Sequence, residues 1–112
     1  MTVLAATSVP NNTRVTLTAV TVGTAPTQIA GGDIGPNGIL VNILNGSGGS
    51  MTVTVEDPTL TALGNTPTEP AQTIANGADG WVRVLQANID PATGFALLTL
   101  STVTTVTYKM IK

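Results

Sequence analysis

The chain has 112 residues, enough for one domain with a single core and too few for two. Hydrophobic residues make up 42% and charged ones only 9%, so the composition excludes a disordered chain, while the absence of cysteine excludes stabilisation by disulfides. The four basic residues Arg14, Arg83, Lys109 and Lys112 form no cluster and the net charge is -2, which excludes the electrostatic footprint of a nucleic-acid or anionic-membrane binder.

Polarity comes from neutral groups: threonine, at 21 copies, is the commonest residue, and its hydroxyl and methyl suit a half-buried pleated surface. Hydrophobic periodicity is two nearly throughout, interrupted by turn residues at short intervals, and helical spacing is missing. The expectation is an all-β fold: a single-domain antiparallel β-sandwich, jelly-roll-like, of about eight short strands.

In chain order, residues 1–14 read as an N-terminal arm or edge strand, and residues 15–112 as the sandwich domain. Val15 to Val22 alternates and is expected to be a strand, followed by a short strand over Thr27 to Ala30 and a GGDIGPNG turn. Ile39 to Leu44 is apolar on both faces except at Asn42, the pattern of a central strand. NGSGGS at 45–50 then leads into Met51 to Glu56, where Met51, Val53 and Val55 share one face, and the two strands are expected to form a hairpin. Asp57 to Pro70 holds Pro58, Pro67 and Pro70 and reads as a long irregular connection.

Ala71 to Ala75 resumes a strand, NGADG at 76–80 turns into Trp81 to Ala87, and DPATG at 90–94 turns into Phe95 to Ser101. The last strand, Val103 to Met110, follows almost at once, so a closing hairpin is expected. Its sequence LLTLSTVTTVTY, Leu97 to Tyr108, has no charge, proline or glycine, the composition of an aggregation-prone segment, and must be covered. Alternation and bulk place Val15, Leu17, Ile39, Val41, Ile43, Val53, Val55, Trp81, Val84, Phe95, Leu98, Leu100, Val103, Val106 and Tyr108 in the core.

The chain has neither histidine nor cysteine, so the commonest general base and the best nucleophile are absent. The carboxylates are Asp33, Glu56, Asp57, Glu69, Asp79 and Asp90; Glu56 and Asp57 are neighbours, which on a strand point to opposite faces and are poorly placed as a cooperating acid/base pair unless the chain turns between them. DPATG and NGADG resemble calcium loops only in part, since aspartate and asparagine also start turns by bonding their own backbone. The expectation is no enzyme, no catalytic residue, no cofactor and no metal site. Trp81, Phe95 and Tyr108 are the only aromatic residues, one per strand, and read as packing and not as a sugar platform. Residues 1 to 20 lack the basic start and long apolar centre of a signal peptide, so synthesis in the cytoplasm is expected.

The succession GILVNILNGSGGSMTVTVEDP, TIANGADGWVRV and IDPATGFALLTLSTVTTVTYKMI, over roughly residues 36 to 112, resembles the small all-β head proteins of tailed double-stranded DNA bacteriophages. That resemblance implies a capsid decoration, or cement, protein: a non-enzymatic virion component on the capsid exterior, a homo-oligomer with a trimer as the implied form, bridging subunits of the major capsid protein. The same chemistry has a second reading, a head- or tail-fibre module that recognises host-surface glycans. The Met1 to Thr13 segment and the Asp57 to Pro70 connection are the expected contact elements, since neither is needed to build the sandwich.

Overall fold

The computed structural model describes residues 2–112. They form nine strands: β1 (Thr2–Val3), β2 (Val20–Thr21), β3 (Thr27–Ala30), β4 (Ile39–Asn45), β5 (Met51–Val55), β6 (Gln72–Ile74), β7 (Asp79–Val84), β8 (Phe95–Leu100) and β9 (Val106–Ile111). Helix is confined to single 3-10 turns at Gly31–Asp33 and Gln86–Asn88, and none of the described helices is long and apolar enough to cross a membrane.

The strands make two sheets, ordered β1-β3-β8-β5-β6 and β2-β9-β4-β7. The antiparallel pairs β2·β9, β3·β8, β4·β7 and β5·β6 nest one inside the next along the sequence. One long hairpin, with its bend between β5 and β6, has thus been rolled so that successive strands fall in alternate sheets along each arm, while β5 and β6 at the bend share one. That is the jelly roll, and it is an all-β sandwich as the periodicity implies. One pair departs from the antiparallel expectation: β1 runs parallel to β3, with Thr2 beside Thr27.

The rolling overturns both expected hairpins. β4 and β5 lie in different sheets, and so do β8 and β9, so each connection is an arch across the sandwich. The two arches touch where Gly46 N donates to Thr105 O at 3.2 Å, and a Cβ on Gly46 would lie 2.7 Å from that same oxygen. The segment Leu97 to Tyr108 is covered by this arrangement: β8 sits between β3 and β5, and β9 between β2 and β4, so both strands have neighbours on each side.

Inward-facing positions build one core from both sheets. Ile29, Ile39, Val41, Ile43, Met51, Val53, Val84, Leu98 and Val106 are all buried in it, joined by Leu4, Val22, Ile34, Ile74, Ala96, Tyr108 and Met110. Val55, Leu100 and Val103 pack against it while half-buried. Val15 and Leu17, expected in this core, are half-buried outside any strand. The expected strand over Val15 to Val22 shrinks to Val20–Thr21, which pair with Tyr108 and Thr107. Extending that ladder backwards would set Thr18 beside Met110, but Thr7 already occupies the place: its N–H donates to Met110 O at 2.9 Å, and its carbonyl accepts from Lys112 N at 3.1 Å.

Residues 2–7 therefore form a strap that is part of the sandwich, which corrects the expectation that the Met1 to Thr13 segment is not needed to build it. Thr2–Val3 hydrogen-bond along β3, the side chain of Leu4 enters the core, the N–H of Ala5 donates to the Tyr108 hydroxyl at 2.9 Å, and Thr7 ends on β9.

Gly38 shows how tightly the turn into β4 is drawn. Its φ is +81° and an added Cβ would lie 2.6 Å from Val84 O, so a side chain there is strained in backbone and in space. Gly38→Ala is expected to cost about 1–3 kcal/mol, read by urea denaturation.

Candidate functional site

Two surface features stand out, one on each outer face of the sandwich. Over the five-stranded sheet, the connection from β5 to β6 folds back against the outward side chains of β8, enclosing a cleft of about 400 Å³. Phe95 and Leu97 of β8 line it together with Leu60 of the connection and the carboxylates Glu56, Asp57, Glu69 and Asp90. Phe95, expected in the core, is half-buried here, because it has the opposite parity to the inward-facing Ala96 and Leu98.

Glu56 and Asp57 both reach this cleft, contrary to the opposite-face expectation, since β5 ends at Val55 and the chain turns beyond it. The two aspartates of the cleft are nevertheless engaged in holding local backbone. Asp57 Oδ1 accepts from Thr59 N at 2.9 Å, and Asp90 Oδ1 accepts from Ala92 N at 2.9 Å while its carbonyl closes the DPATG turn from Gly94 N at 2.7 Å. Asp79, in the other glycine-bearing loop, accepts from Asn42 Nδ2 at 2.9 Å. Among the described residues no three histidine, cysteine, aspartate or glutamate side chains converge to hold a metal ion.

The same connection carries the most exposed large apolar side chains of the described residues. A turn closed by Gly64 N to Thr61 O at 2.8 Å lifts Leu63 to 89% exposure, with Leu60 at 60% beside it. Leu60 is partly covered where it lines the cleft, and Leu63 stands almost clear of the described chain. The turn needs glycine at its end, where φ is +83° at Gly64.

On the outer face of the four-stranded sheet the central feature is Trp81, 57% exposed. The core expectation for this residue is overturned, and the reason is parity. Gly80, Val82 and Val84 of β7 point inward against Ile43, Val41 and Ile39 of β4, so Asp79, Trp81 and Arg83 point outward. Trp81 lies across from Asn42, which is flanked on its other side by Lys109 of β9. Leu44, also exposed, lies next along this face between Asp79 and Thr107. The signal was available in the sequence, because Arg83 shares the parity of Trp81 and a charged residue marks the wet side of a strand. The third aromatic, Tyr108, is buried as expected.

Since its ring is largely in water, Trp81→Ala is expected to change stability by less than about 1 kcal/mol. Chemical denaturation of the variant in dilute solution checks this, together with a red-shifted tryptophan emission in the unmodified protein.

A residue that sequence reasoning missed holds the frame on which both faces are built. Asn45, at the end of β4, is completely buried and uses all its hydrogen-bonding capacity: Nδ2 donates to Gly49 O at 2.7 Å and Ile74 O at 2.9 Å, and Oδ1 accepts from Ser47 N at 3.0 Å and Ser47 Oγ at 2.7 Å. Its side chain ties the β4–β5 arch to β6 across the sandwich.

No family model, curated protein or solved structure matches this chain.

Proposed function

We propose that this chain is a structural virion protein that decorates and stabilises a bacteriophage capsid, bridging subunits of the major capsid protein as an oligomer on the capsid exterior. The observation that carries the reading is the placement of the exposed apolar side chains. Leu60 and Leu63 stand over one outer face of the sandwich, and Trp81 and Leu44 stand on the other. A protein that joins two neighbours needs contact surfaces directed two ways from one rigid body, and uncovered apolar groups of this kind mark such surfaces. Support also comes from the resemblance of residues 36 to 112 to phage head proteins, and from a surface rich in threonine with only 10 formal charges, which suits repetitive contacts of modest individual affinity. In this reading the protein performs no chemistry, and Asp57 and Asp90 in the cleft serve the turns whose backbone they bond.

The test is to add the purified chain to capsids of the phage that encodes it, prepared without this protein, and to pellet the particles. Saturable binding at a fixed ratio to the major capsid protein, with particles that resist heat or chaotrope better than bare ones, is the expected result. Leu63→Asp should weaken binding at least tenfold while leaving the far-UV circular dichroism unchanged. Absence of binding, or mass spectrometry of purified virions that fails to find the chain, overturns the reading.

The exposure of Trp81 favours a second reading, a fibre module that stacks a host glycan on the indole beside Asn42 and Lys109. Binding on a glycan array that disappears in Trp81→Ala would replace the first reading with this one.

A further inference from the structure

Jelly rolls must do something about the outer strands of their two sheets, and this molecule treats its four edges unequally. β1 and β2 have two residues each and β6 three, lengths too short to template another chain. β7 is different: six residues, no proline, paired to β4 on one side and to nothing on the other among the described residues.

The backbone of β7 can be apportioned. Asn45 N donates to Ala78 O and Asn45 O accepts from Gly77 N, so the odd-numbered residues of β4 turn their backbone groups toward β7. By the alternation of an antiparallel ladder, Gly80, Val82 and Val84 answer them. The N–H and C=O groups of Asp79, Trp81 and Arg83 therefore point away, along the open edge, and the side chains of the same three residues are exposed on the outer face.

We propose that this edge is where a second copy of the chain adds, β7 against β7, antiparallel about a twofold axis at Trp81. In that register Trp81 faces its own counterpart, and Asp79, two positions before it, faces Arg83, two positions after it, twice over. The residues able to hydrogen-bond across the axis are the same ones the ladder leaves free. Two four-stranded sheets become one of eight strands, and the interface is self-complementary as a twofold contact requires.

Charge distinguishes this edge from one built to repel. Edges protected by charge carry groups of one sign, which oppose a second copy. Here the charges are opposite and equidistant from the axis. Among the described residues neither is neutralised: Asp79 accepts the neutral amide of Asn42, and Arg83 donates to the carbonyl of Asn37, with no ion pair at either. Cross-strand aromatic pairing of the two indoles, on the same face as the ion pairs, adds specificity to the register.

The inference goes beyond the capsid reading and stands apart from it, and it gives a twofold pair where the phage-protein resemblance implies a trimer. Sedimentation velocity on the full chain tests it. The unaltered protein should show a monomer–dimer equilibrium. Asp79→Arg and Arg83→Asp should each weaken dimerisation at least tenfold, because each sets like charges opposite one another. An equimolar mixture of the two should recover a species of dimer mass, and so should the double variant Asp79→Arg/Arg83→Asp, which keeps the test decisive if one single variant fails to fold. Since the chain has one tryptophan, an indole exciton couplet in circular dichroism that fades on dilution would report the pairing of copies directly. A protein monomeric at every concentration, an oligomer indifferent to the two reversals, or a mixture that does not recover, overturns the proposal. Capsid pelleting by the same variants reads the other reading independently: binding that survives in Arg83→Asp leaves the capsid role standing whatever becomes of the dimer.

Discussion

Leu98→Ala is expected to lower the unfolding free energy by about 2–5 kcal/mol, the range for truncating a fully buried leucine. Leu98 is 1% exposed on β8, between Thr27 of β3 and Val55 of β5, and its side chain points into the space shared by the two sheets. Removing it costs the transfer of the lost methyl groups and leaves a void that flanking strands, hydrogen-bonded on both sides, cannot collapse to fill. A domain of this size holds only about 5–15 kcal/mol in all, so the variant should melt many degrees lower or fail to accumulate. Urea denaturation gives the number. A loss below about 1 kcal/mol would mean that Leu98 does not face a packed interior, and the order of the five-stranded sheet would have to be wrong.

The second large effect belongs to Asn45. Asn45→Asp keeps the shape of the side chain and replaces its two N–H donors by a carboxylate oxygen, which then confronts the carbonyls of Gly49 and Ile74 in a site with no solvent access. An unpaired buried charge of this kind costs about 3–5 kcal/mol. Asn45→Ala removes the charge from the comparison and still takes the buried amide donor from Ile74 O, worth about 1–3 kcal/mol, whereas Gly49 O keeps the Ser47 hydroxyl at 3.1 Å. Both variants should unfold at lower urea than the parent. If Asn45→Asp came within about 1 kcal/mol of it, the side chain would have to be wet, and the arch between β4 and β5 would not be held as described.

Asn45 also shows what the sequence made legible and what it did not. Thr27 to Ala30, Met51 to Val55 and Phe95 to Leu100 are strands where alternation places them, because a period of two is a property of each segment alone. The partner of a strand is not such a property. NGSGGS and the residues around Ser101 mark where the chain bends, but turn chemistry is the same whether the chain doubles back within a sheet or crosses to the other one. The local pattern reads as two hairpins, and the molecule makes two arches. The loops do hold a hint, since a hairpin is closed best by two residues, whereas crossing a gap of about 10 Å between sheets needs more.

Parity, and not bulk, decides which side chains of a strand enter the core. Bulk places both Trp81 and Val84 in the core, yet they stand three apart on one strand and cannot share a face. Phe95 and Leu98 repeat the same conflict. Of the candidate surface, the irregular course of the Asp57 to Pro70 connection follows from its prolines, because such a segment cannot join a ladder. The exposure of Leu63 at its tip depends on the turn that lifts it. The open edge of β7 is invisible in the sequence, for it exists only once the order of strands is known.

The strap formed by residues 2–7 fixes when folding can finish. Its partners are Thr27 and Gln28 on one side and Tyr108 to Lys112 on the other, so residues made early wait for partners made long after them. The nested pairing β2·β9 around β3·β8 around β4·β7 imposes the same delay on nearly every strand. A nascent chain has almost no stable local structure to rest in, and such non-local topologies fold in about milliseconds to seconds once released. Shortening the chain at β9 would remove the centre of the four-stranded sheet and the anchor of the strap together, so loss of the last ten residues should leave an insoluble product, not a smaller domain.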